Sequence, residues 1–95
     1  MNKELETFIT TYLDLEQAPD VRGNLRPTLH AFSKEYVDAV RVDLASVLRT
    51  RSLSVADYER LTDIEFADTE SLYNYLGEMY EYLFEDRQQQ PAPPE

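Results

Sequence analysis

The chain is 95 residues long, with 19 acidic and 9 basic residues for a net charge of −10, and it contains no cysteine. Disulfides, thiolate metal sites and cysteine nucleophiles are thereby excluded, and nucleic acid or an anionic membrane surface is a poor partner for so acidic a protein. Only two glycines occur against 42% hydrophobic residues, too few turn-formers for a many-stranded fold, so the punctuation favours a few long helices in one domain.

The first helix is expected over about residues 3–16, where Leu5, Phe8, Ile9, Tyr12 and Leu13 recur on one helical face. Gln17–Asn24 reads as a loop punctuated by Pro19 and Gly23, with Asn24 as a helix cap and Pro27 tolerated in the following first turn. The second and longest helix is expected over about 26–50, with Leu29, Phe32, Tyr36, Val40, Leu44, Val47 and Leu48 holding the period. Arg49 and Arg51 suit its negative end. Ser54 and Asp57 form a capping-box pattern that starts a short helix over 55–61. The connector from Thr62 to Asp68 alternates Ile64 and Phe66 with acids, which predicts two apolar plugs from an irregular segment. Asp68 or Thr69 caps a last helix over about 70–87, whose expected core face is Leu72, Tyr73, Leu76, Met79, Tyr80, Leu83 and Phe84. The ending QQQPAPPE (88–95) is expected to be a disordered or polyproline-like tail beside a domain spanning 1–87. The expected fold is all-α: a compact four-helix domain, three longer helices and one short.

No stretch resembles a signal peptide or approaches the about 20 apolar residues of a membrane span, so a cytoplasmic protein is expected. Catalytic patterns are weak. The only histidine, His30, lies beside Leu29 and Phe32, as a packed or surface histidine would. Gly23 and Gly77 are isolated, so no phosphate loop exists. Asp63, Glu65 and Asp68 could offer oxygen ligands to calcium, but DIEFADTE lacks the glycine and spacing of an EF-hand loop. They read as a solvated acidic loop. A non-enzymatic protein without cofactor or metal is expected.

Charge is unevenly placed. Residues 1–53 sum to −1, whereas 54–86 carry ten acids and one base, Arg60. With Leu72 at 0° and about 100° per residue, a core face centred near 50° leaves Tyr75 and Tyr82 near 300° and 280°, flanked by Glu78 and Glu85. Two readings stay open. The tyrosines pack inside while the acids solvate the surface, or Tyr75, Glu78, Tyr82 and Glu85 form an interface flanked by Asp86. In the second reading Asp63, Glu65, Asp68 and Glu70 extend the field toward a basic partner. Self-repulsion among so many acids disfavours folding, and solubility alone needs less charge. A basic protein partner accounts for the excess.

The order of FITTYLDL, a polar loop, a long helix, SLSVADYERLTDIEF and LYNYLGEMYEYLF resembles bacterial immunity proteins of contact-dependent growth inhibition systems. That resemblance spans roughly residues 4–86 and implies binding to the C-terminal toxin domain of a cognate effector, often a nuclease, so as to block it. It carries over no site residue. The alternative is an acidic adaptor or regulatory subunit, a monomer or weak homodimer that pairs through the last helix.

Overall fold

The structure, a computed structural model, describes residues 1–95 and contains five helices and no strand. They are α1 (Lys3–Tyr12), α2 (Leu25–His30), α3 (Lys34–Thr50), α4 (Val55–Thr62) and α5 (Thr69–Phe84). The Cα radius of gyration is 12.1 Å, which matches the roughly 12 Å of a compact domain of this length. No helix is long and apolar enough to cross a membrane.

Four of the five helices start where a short polar side chain accepts from an unpaired backbone N–H. The Asn2 side chain accepts from Leu5 N at 2.8 Å and starts α1. Its amide also donates to Ala39 O at 3.0 Å, which fastens α1 to α3. Ser54 accepts from Asp57 N at 3.0 Å, as the capping pattern predicts, and Asp68 accepts from Ser71 N at 2.8 Å. Asn24 begins α2 without a side-chain cap, in helical geometry.

The expected helix 26–50 is two helices. Ser33 lies in extended geometry between them and accepts from Tyr36 N at 3.2 Å, so the serine that the apolar period runs through caps a new helix. The domain therefore has five helices rather than four. α1 also stops early, at Tyr12. Asp14 competes for the backbone that follows by accepting from Gln17 N at 2.9 Å, and Leu15 N is drawn to Thr62 O at 2.8 Å.

Twenty-one buried apolar side chains form one cluster with contributions from every helix. Ile64 and Phe66 are 3% and 4% exposed and plug it from the connector, as the alternation predicts. Tyr73 ties the α3–α4 turn to α5, its hydroxyl accepting from Leu53 N at 2.9 Å and donating to Leu53 O at 2.8 Å.

The tail does not behave as composition predicts. Gln90 and Pro91 are buried, and the Gln90 side chain donates to Asp20 O at 3.2 Å. Residues 85–91 thus run back from the end of α5 to the α1–α2 loop, and only 92–95 carry no buried residue.

Candidate functional site

α5 is buried on a wide face that comprises Leu72, Tyr73, Tyr75, Leu76, Met79, Tyr82 and Leu83. At about 100° per residue this face centres near 0°, not 50°, and it takes in both tyrosines expected at its edge. Tyr75 is 4% exposed and Tyr82 is 2% exposed. The Tyr75 ring lies 5.2 Å from that of Phe66, which is itself 5.6 Å from Tyr58. Tyr82 lies under the Arg26 guanidinium, 4.3 Å from its ring centroid, with Gly23 beside its hydroxyl. Neither tyrosine can meet a partner, and both leave the candidate site.

The Tyr58 and Tyr75 hydroxyls lie close together, yet neither reaches hydrogen-bond geometry with any partner. Burial pushes both phenols up, Tyr58 well above its ordinary value. They stay neutral.

The acids remain outside. Opposite the buried face, Glu70, Asn74, Gly77, Glu78, Glu81 and Glu85 fall within about 100° of arc. Glu70, Asn74, Glu81 and Glu85 are exposed, and Glu78 and Gly77 are half-buried. Glu81 belongs to this stripe although the expected interface omitted it. The spacing 74, 77/78, 81, 85 was available in the sequence, and the misplaced core centre concealed it. The stripe follows the axis for roughly 24 Å at 1.5 Å per residue. Asp63, Glu65 and Asp68, all exposed, lie on the connector that leads into its N-terminal end, and the exposed Asp86 follows Glu85 at the other.

These acids are not equivalent. Glu70 is paired with Arg51, whose guanidinium approaches it at 2.5 Å and 3.5 Å and holds its carboxyl below the ordinary value. Asp57 is held low by its bonds to Ser54 and then Arg60, so the one base of this half is already engaged. Asp68 is held low by the Ser71 backbone N–H that it caps. Glu78 and Glu81 face Arg87 at 3.7 Å and 3.8 Å. Exposed pairs of that length contribute about 0–1 kcal/mol and exchange readily. Asp63, Glu65, Glu85 and Asp86 make no ion pair. No three carboxylate or imidazole groups converge on a point where they could hold a metal ion.

Glu81, Glu85 and Asp86 also stand at the unfavourable end of their helix. The carbonyl terminus of a helix carries partial negative charge, and α5 has no base in its last turn. The donors that meet its last carbonyls come from α2. Arg26 Nε donates to Tyr82 O at 2.6 Å, and His30 Nε2 donates to Leu83 O at 2.8 Å. His30 is thus a surface histidine bound to a carbonyl.

Acid titration of the folded domain is expected to be biphasic. Toward the sequence pI of about 4.4, falling net charge relieves self-repulsion and raises the melting temperature. Below that, Asp57, Asp68, Glu70 and Asp20 act in the opposite sense. Their carboxyls are lowered in the folded chain, Asp20 to about 2 by its bonds from Arg22. The unfolded chain then binds protons first. Their contribution is complete above the ordinary carboxylate range and is lost as pH falls through it toward about 2. Calorimetry from pH 7 to 2.5 should therefore show a maximum near pH 4–5, whereas a monotonic decline from pH 7 would contradict the repulsion argument.

No family model, curated protein or solved structure matches the chain.

Proposed function

We propose that this protein is an immunity-type inhibitor that uses the acidic outer face of α5 and the 63–70 connector to bind and neutralise a basic toxin domain. One observation carries the reading: four glutamates share one outward stripe of α5, two of them in or beside its last turn, where the helix dipole disfavours them. Within the fold that placement gains only the long, exposed pair between Glu81 and Arg87. A cationic partner gains more, since a concentrated negative potential raises its association rate by about 10–10³-fold at low salt. A nuclease domain that grips phosphates with lysine and arginine fits this description. The order of helices that resembles contact-dependent growth inhibition immunity proteins points the same way, and the reading is non-enzymatic.

The test is direct binding to the C-terminal toxin domain of an effector encoded beside this chain. The expected result is a 1:1 complex whose association rate falls steeply with added salt while its dissociation rate changes little. An association rate indifferent to salt would overturn the reading.

A second reading, an adaptor that self-associates, is favoured by one feature on other elements. Phe32 is 41% exposed, its ring 4.7 Å from Tyr36 and 6.3 Å from Tyr12. Self-association through this patch, rather than through α5, would appear in sedimentation as a concentration-dependent dimer abolished by Phe32→Ser. A monomer at all concentrations would leave the inhibitor reading alone.

A further inference from the structure

We propose that residues 85–91 form a strap that closes over the acidic face in the free protein and opens when a cationic segment takes the place of Arg87. The inference rests on the reading of α5 as the docking face and adds how that face is gated.

The strap has no helix of its own and is fixed at three points. Arg26 on α2 donates to the Arg87 carbonyl as well as to Tyr82 O, and so holds the strap at its root. The Arg87 guanidinium turns back onto Glu78 and Glu81. Farther on, the buried Gln90 donates to Asp20 O, and Pro91 is seated beside it. Between these points the strap bonds to itself: Arg87 Nε donates to Gln89 O at 3.1 Å, and the Gln88 side chain donates to Asp86 O at 3.1 Å. The guanidinium on the acidic face is thus joined to the stretch that carries Gln90, and the two anchors move together.

Two features show that the closed state is weakly held. Both Arg87 ion pairs are long, and the arginine side chain is 35% exposed, so water and competing cations reach it. Gln90 is 7% exposed, yet its Oε1 finds no partner, while a cavity of about 120 Å³ opens between it, Tyr12, Asp20 and Leu25. An acceptor left unmet in the closed state favours its release. Under Arg87 the surface is a shallow groove floored by Asn74 and Gly77. A Cβ built on Gly77 meets nothing within 4 Å, so nothing in this chain requires glycine there. Arg87 is the internal occupant of a groove that fits a guanidinium on an extended segment.

The test uses the full chain, isotopically labelled, titrated with a nona-arginine peptide at low ionic strength. The Glu78 and Glu81 amides are expected to shift, and the Gln90 side-chain amide to move to its solvent-exposed position with the same midpoint. In Arg87→Ala, Gln90 should be released before peptide is added, with peptide affinity about two- to fivefold higher because the competing closed state is depopulated. Shifts at Glu78 and Glu81 with Gln90 unmoved would overturn the strap and leave the docking face intact. The absence of any shift on α5 would overturn both. An Arg87→Ala chain with Gln90 still seated would refute the coupling on its own.

Discussion

Tyr75→Ala is expected to lower stability by about 3–5 kcal/mol, the usual loss when a buried aromatic ring is truncated. A domain of this size has roughly 5–15 kcal/mol in total, and each kcal/mol moves its melting temperature by about 4–8 °C. The midpoint should therefore fall by more than about 12 °C in a thermal scan. The cause is geometric: the ring is 4% exposed, lies against Phe66 and adjoins Tyr58 in the centre of the core. Tyr75→Phe supplies the contrast. It keeps the ring and removes a hydroxyl that is buried without a partner, so its stability should match the parent or exceed it by about 1 kcal/mol. A melting temperature untouched by Tyr75→Ala would mean that the ring is outside the core. The pair also warns against alanine replacement of Tyr75 and Tyr82 as an interface probe, since lost binding would report a lost fold.

Reversing Glu78, Glu81 and Glu85 to lysine together is expected to slow association with a basic partner by at least about tenfold at low salt. Three considerations set that size. The triple change moves the net charge from −10 to −4, all of it on one stripe. The stripe contains no buried ion pair, so the reversals break only the long Arg87 pairs to Glu78 and Glu81, releasing the strap and leaving the five-helix core intact. At high salt, where the screening length falls to about 3 Å, parent and variant should converge. Stability should move the other way or stay level. Lysines in the last turn of α5 complement the helix dipole by about 0.3–1 kcal/mol each, which offsets their repulsion from Arg87. Slower binding with an undiminished melting temperature separates a docking face from a structural one. Equal slowing from the control reversals Glu6→Lys and Glu35→Lys, on α1 and α3, would show that net charge alone matters.

Much of the fold was legible because its signals are local. The stripe of Leu5, Phe8 and Ile9, the Ser54 cap, the Asp68 cap and the plugs Ile64 and Phe66 all appear where residue type and spacing place them. The all-α class follows from them. The break at Ser33 was hidden because Leu29, Phe32, Tyr36 and Val40 keep a helical spacing straight through it. Periodicity records which residues are apolar, not whether the backbone continues. Phe32, counted on the core face, is consequently 41% exposed. The seat of Gln90 and Pro91 is a tertiary contact with Asp20, seventy residues away in sequence, and no local composition encodes it.

The candidate site was legible in charge and not in register. The acidic half was evident from counting, and Asp63, Glu65, Asp68, Glu78 and Glu85 are on the surface as expected. The half-buried Tyr80 and Phe84 were given full weight in the expected core face, which rotated its centre by about 50° and brought Tyr75 and Tyr82 out. What covers those two tyrosines comes from elsewhere in the chain: Tyr58 and Phe66 beside Tyr75, and Arg26 and Gly23 beside Tyr82. A wheel drawn for one helix does not contain its neighbours.

A basic partner is expected to dock on the 63–70 connector and the outward face of α5. The most direct measurement is an amide-shift map of the labelled full chain saturated with the proposed partner, a catalytically inactive toxin domain of an effector encoded beside it. The predicted result is a contiguous footprint on residues 63–70 and on the Asn74, Gly77, Glu78, Glu81 and Glu85 stripe, with α1 and α3 unperturbed. A footprint on α1 and α3 around Phe32 and Tyr36, with the α5 stripe silent, would contradict it.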